Sequence, residues 1–168
     1  MSTAATTTQT ITPSSVDKST PPDFGKSLQN YDHLYMIDDI PVTYILEKLR
    51  LLGPSYYSDK ATAFAELRVQ GIDKPFWIHK EYLVLQSRFF QEVFKQITNG
   101  DVITIKVPFP EVFEIILKFL YDGDGNKWYG SMTKENFFKI WRNVEFLQLG
   151  NEAKAVCNAY YVNVLKKS

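Results

Sequence analysis

The chain has 168 residues, 45% of them hydrophobic and 15% aromatic, enough to bury one good core and too few for two. Nineteen Lys and Arg balance nineteen Asp and Glu, so no summed field draws the protein to nucleic acid or to an anionic membrane. No apolar run approaches the roughly 20 residues that cross a bilayer, and residues 1–30 have neither a basic start nor an apolar signal segment, so the cytoplasm or nucleus is the expected compartment.

Residues 1–30 are dominated by Ser, Thr, Pro and Gln, with Ile11, Val16, Phe24 and Leu28 as almost the only large apolar side chains. Such a segment cannot bury enough surface to offset its ordering entropy, so a disordered tail is expected ahead of a domain over 31–168. Thr12-Pro13 and Thr20-Pro21 could take phosphate, although a solvated spacer needs nothing more than this composition.

Leu34, Tyr35, Met36 and Ile37 form a short apolar run that reads as a strand. Pro41 then stands where a helix would begin, Val42, Ile45, Leu46 and Leu49 follow at i, i+3, i+4 and i+7, and Gly53-Pro54 is the expected stop. A hairpin is expected from Ala63 to Gln70 and from Phe76 to His79 across a turn at Gly71–Lys74. Its residues Ala65, Leu67 and Val69 share one face, and Phe64, Glu66 and Arg68 share the other.

After His79 the period changes from 2 to 3.6, with Phe90, Val93, Phe94 and Ile97 on one helical stripe. A third strand is expected over Val102 to Val107, ended by Pro108-Phe109-Pro110. Helical stripes follow at Val112, Ile115, Ile116, Phe119 and Leu120, at Phe137, Ile140, Trp141, Val144 and Leu147, and around Cys157 with Ala153, Val156, Tyr160, Tyr161, Val164 and Leu165. Asp122 to Ser131 reads as a Gly- and Asp-rich loop. It is not a calcium loop: counted from Asp122, the sixth and twelfth residues are Lys127 and Thr133, where an EF-hand needs Gly and Glu.

Two histidines and one cysteine cannot build a four-ligand structural zinc site, and no glycine-rich phosphate cradle is present, so neither metal nor cofactor is expected. His79 ends a strand among aromatic residues and reads as a core or capping histidine, without a local nucleophile to serve, and His33 reads as solvated. Cys157, on its apolar stripe, reads as a buried structural thiol.

The run Phe76-Trp77-Ile78-His79-Lys80, then Leu83, then Ser87-Arg88-Phe89-Phe90, with Leu120-Tyr121 and Phe146-Leu147-Gln148-Leu149 further on, resembles the heart of a BTB/POZ domain. The resemblance covers Leu34 to Leu165. It implies an α/β fold of the α+β type: a short three-stranded sheet surrounded by five or six helices. It also implies a non-enzymatic protein–protein interaction module that self-associates, as a homodimer or a higher oligomer, through its N-terminal strand, first helix and first hairpin. Leu34, Met36, Val42, Ile45, Leu46, Leu49, Phe64 and Lys80 are the residues expected at that interface.

Two departures from the family pattern bear on partners. Family members commonly place an Asp near the dimer axis at the start of the first hairpin, where this chain has Phe64, while Lys80 keeps its place. Adaptors that recruit a cullin ubiquitin-ligase scaffold often carry an apolar-x-Glu motif where this chain reads Ile97-Thr98-Asn99-Gly100-Asp101. The 168 residues contain no kelch, zinc-finger or substrate-binding module, so the expectation is a domain acting by contact with itself or other proteins. A cullin adaptor and a tetramerisation module are the alternatives.

Overall fold

The protein is described by a computed structural model in which residues 8–11, 36–37 and 39–167 are placed. Thr12-Pro13, Thr20-Pro21, His33 and Leu34 lie outside the described residues. The elements in chain order are β1 (Thr8–Ile11), β2 (Met36–Ile37), β3 (Ile40–Pro41), α1 (Val42–Tyr56), β4 (Ala65–Val69), β5 (Phe76–Ile78), α2 (Lys80–Val84), α3 (Arg88–Phe94), β6 (Val102–Ile105), α4 (Phe113–Asp122), α5 (Gly125–Ser131), α6 (Phe137–Leu147) and α7 (Asn151–Tyr160). A 3-10 turn at Pro110–Val112 leads into α4, and a π turn at Tyr161–Leu165 follows α7.

The central sheet has β4 in the middle of three strands, antiparallel to β5 and parallel to β6. Period-2 alternation sends Ala65, Leu67, Val69, Phe76, Ile78, Ile103 and Ile105 into one continuous core with the buried faces of α3, α4 and α6. All five residues of the stripe from Phe137 to Leu147 are buried, as the 3.6 period requires. Cys157 is fully buried on α7, and burial pushes its thiol pKa far up, so it behaves as a small apolar side chain.

Three elements differ from the sequence reading. Thr8–Ile11, within the segment expected to be disordered, forms a fourth strand parallel to β6, with Thr8 opposite Val102 and Ile11 opposite Ile105. Residues 125–131 form helix α5 instead of continuing the loop. The Asp124 carboxylate caps it by accepting from the Lys127 N–H at 3.0 Å, and Trp128 is buried, stacked on Phe119 with ring centroids 4.4 Å apart. With the short α2, this brings the helices among the described residues to seven.

The third difference is that Gly53-Pro54 does not stop α1, which runs on to Tyr56. Gly53 is needed there for close approach: a Cβ would sit 1.9 Å from the Tyr121 carbonyl oxygen of α4. The last turn is closed by Tyr57 N–H donating to the Gly53 carbonyl at 2.9 Å. Pro54 falls in that last turn and forgoes the one bond its missing N–H would have made to the Arg50 carbonyl.

Candidate functional site

The strand-to-helix junction at His79 is a buried polar point of the domain, and its hydrogen bonds decide what it can do. The Tyr121 hydroxyl accepts from the His79 backbone N–H at 2.8 Å, so its own proton points to Nδ1, also at 2.8 Å. Nε2 then carries the imidazole proton and donates to Thr62 Oγ1 at 2.8 Å, and Thr62 donates to Asp59 at 2.8 Å. Burial lowers the His79 pKa, against a smaller opposing pull from Asp59 and Glu81, which favours the neutral ring that this chain of bonds requires. Both ring nitrogens are engaged in holding β5 to α4 and to the loop before β4, which is a structural task.

Ser87 has a similar role. Its buried hydroxyl accepts from Phe90 N–H at 3.1 Å, capping α3, and donates to the Leu147 carbonyl at 2.6 Å, tying α3 to the end of α6. The conspicuous motif residues His79, Ser87 and Tyr121 are therefore joints of the scaffold.

What the scaffold presents outward is α1. Val42 and Leu46 are buried by the chain itself, at 6% and 8% exposure, and with Gly53 they form the face that packs toward α4. Ile45 and Leu49 are half-buried, and Leu49 packs against the core while its carbonyl accepts from the Tyr82 hydroxyl. The opposite face carries Tyr44, Leu51 and Leu52 at 53%, 74% and 52% exposure, and Ile40 just ahead of the helix is 45% exposed. The expected stripe of Val42, Ile45, Leu46 and Leu49 thus splits: its centre is own-domain packing, and a second apolar stripe at Tyr44, Leu51 and Leu52, spaced i, i+7 and i+8, faces out. The sequence reading missed this second stripe, whose signal was simply that α1 carries more apolar residues than one face can hold.

α1 is held rigidly. Arg50 makes a bidentate pair with Glu152 of α7, both contacts 2.9 Å, and donates to Gln86 Oε1 at 3.0 Å. Gly123, at φ +65, leaves room for this arginine, since a Cβ there would lie 2.2 Å from its Cδ. Beside this clamp a cleft of about 480 Å³ opens between the start of α1, the α2–α3 turn and the start of α7, lined by Val42, Leu46, Gln86, Arg88, Gln148 and Glu152 among others. His79 is not in its lining.

The remaining expected interface residues lie in two places. Met36 belongs to β2, which pairs with Ile40–Pro41 of its own chain through a tight turn with Asp39 at φ +68. Phe64 and Lys80 meet each other: the Lys80 Nζ stands 5.6 Å from the centre of the half-buried Phe64 ring, whose other neighbour is Phe94 at 5.7 Å. Phe64 is covered in part by α3 of its own chain. Among the described residues, no helix is long and apolar enough to cross a membrane, and no group of three or more His, Cys, Asp or Glu could hold a metal ion.

A family model for the BTB/POZ domain matches residues 57–162. Among solved structures, the BTB domain of zebrafish PATZ1 is similar in fold, with a TM-score of 0.56 and 23% sequence identity over 82% of this chain and 100% of that one. No curated protein matches the chain in sequence.

Proposed function

The chain belongs to the BTB/POZ family of protein–protein interaction domains, and from that premise we propose that it self-associates as a homodimer through the outer face of α1. The observation that carries this reading is the exposed apolar stripe of Tyr44, Leu51 and Leu52, continued by Ile40, on a helix clamped to its own domain by Arg50. Large apolar side chains grouped on a rigid face mark an association surface, whereas single exposed ones are ordinary. A second copy of the chain is the proposed occupant, because the same stripe on two copies is self-complementary about a twofold axis.

The mechanism is removal of apolar surface from water, at roughly 25 cal/mol per Å². Ile45 and Leu49 border the face. Phe64 and Lys80 are already engaged within the chain, so the interface rests on α1 and not on them. Cys157 is the single cysteine and is buried, which suits the cytoplasm or nucleus, the compartment proposed here.

The test is the double variant Tyr44→Glu/Leu51→Glu. Both side chains are exposed in the single chain, so folding is retained while charge enters the dimer face. Sedimentation equilibrium should give the 19.4 kDa chain mass for the variant and twice that for the parent. Equal masses for the two proteins would place the interface elsewhere.

A further inference from the structure

The face of the central sheet turned away from the core carries a row of positive charge. The alternation that buries Leu67, Val69, Ile105 and Val107 turns Arg68 and Lys106 outward, and the burial of Phe76 and Ile78 does the same for Trp77. The strand register fixes their layout. Trp77 of β5 lies opposite Glu66, Arg68 stands two residues further along β4, and Thr104 opposite Arg68 puts Lys106 two residues further again beside β6. Each step is one strand sideways and two residues along, about 8 Å from spacings of roughly 4.8 and 6.6 Å. Trp77, Arg68 and Lys106 therefore fall on one diagonal across the three strands.

All three points on that diagonal are cationic. The Lys60 Nζ stands 4.8 Å from the centre of the half-buried Trp77 ring. Lys60 and Lys106 are exposed, and neither has an ion-pair partner among the described residues. Arg68 is held by Glu66, with Nε at 2.9 Å and Nη2 at 2.8 Å from the same carboxylate oxygen, while its side chain stays 62% exposed. Glu66 orients the guanidinium and leaves two lysines uncompensated. The chain as a whole is neutral, so this excess is local to the face.

We propose that this diagonal binds an extended acidic segment of a partner protein, laid across the strands with carboxylates at alternate positions. An extended chain puts alternate side chains on one side, about 6.6 Å apart, and the flexible lysine stems close the difference from 8 Å. Charge complementarity selects the occupant. A single-stranded nucleic acid would need an open aromatic face for its bases, and Lys60 already covers the face of Trp77.

The test uses the full chain and a fluorescently labelled peptide of alternating Glu and Ser. Anisotropy should show saturable binding at about 100 μM or tighter in low salt. Binding should weaken about tenfold from roughly 20 to 300 mM salt. Trp77 is the one tryptophan that is not buried, since Trp128 and Trp141 are 2% and 0% exposed, so the bound peptide should shield the protein's fluorescence from iodide. Lys60→Glu/Lys106→Glu changes only exposed side chains and should weaken binding about tenfold or more, whereas Lys166→Glu/Lys167→Glu, also exposed but beyond α7, should leave it within about twofold. No saturable binding up to about 1 mM peptide, equal losses in the two double variants, or tighter binding of a single-stranded oligonucleotide of the same charge overturns the proposal. The surface does not include α1, so none of these readings depends on the oligomeric state.

Discussion

The Tyr121 hydroxyl lies 2.8 Å from both the backbone nitrogen and the Nδ1 of His79, joining the end of β5 to α4 across 42 positions of sequence. Stacked on Tyr82 at 4.4 Å and met edge-on by Tyr57 at 5.4 Å, the Tyr121 ring has little freedom. Tyr121→Phe keeps the ring and removes the hydroxyl, leaving a buried N–H and a buried ring nitrogen without their partner. The expected loss is about 1–3 kcal/mol, measured by denaturant unfolding, with the oligomer mass unchanged. A variant as stable as the parent would mean that the contact is incidental.

The same contact gives stability a pH dependence. Burial depresses the His79 pKa in the folded state below the ordinary 6.5 of a histidine, so the folded chain binds this proton less readily than the unfolded chain does. The stabilisation is therefore fully present above about pH 6.5 and is lost as pH falls from there toward the depressed folded value. Unfolding free energy should be flat in this respect between pH 7 and 8 and decline below about 6.5, and His79→Gln should show a shallower decline over that lower range. Parallel declines in the two proteins would assign the effect to other groups.

Phe64 stands where the family commonly has an acid, and its ring is half-buried between Phe94 and Lys80. Phe64→Asp exchanges ring packing for a carboxylate near the Lys80 ammonium. The net expectation is destabilisation of about 1–2 kcal/mol with no change in mass. Dissociation at unchanged stability would instead put the ring in the subunit interface.

Cullin binding should be weak or absent. Asn99 occupies the position where an adaptor would present Glu. The turn around it is closed by the Asp101 carboxylate accepting from Thr98 N–H at 2.8 Å, with Gly100 at φ +91. A calorimetric titration with a cullin N-terminal region giving sub-micromolar affinity would contradict this.

The parts of the fold that were legible in the sequence are those fixed by local period and by a dense motif. The hairpin, the junction at His79 and the stripes on α4 and α6 each carry their own pattern. The face of α1 was not legible in the same way. A 3.6-residue period says that Val42, Ile45, Leu46 and Leu49 share a side, but not whether the covering surface belongs to the same chain. Leu51 and Leu52 escaped notice because they fall off that stripe. Helix α5 was hidden by its Gly and Asp, since the Trp128 contact with Phe119 that stabilises it is tertiary. Strand β1 was hidden for a related reason: Thr-Gln-Thr-Ile has strand propensity, but its partner β6 lies about ninety residues away.

The mass of the unmodified chain in solution bears most directly on the account. Sedimentation equilibrium from about 1 to 100 μM, the range in which a standard-sized protein interface of modest affinity is populated, should show a species of twice 19.4 kDa that dissociates on dilution or persists throughout. A single species at 19.4 kDa over the whole range would contradict self-association through α1.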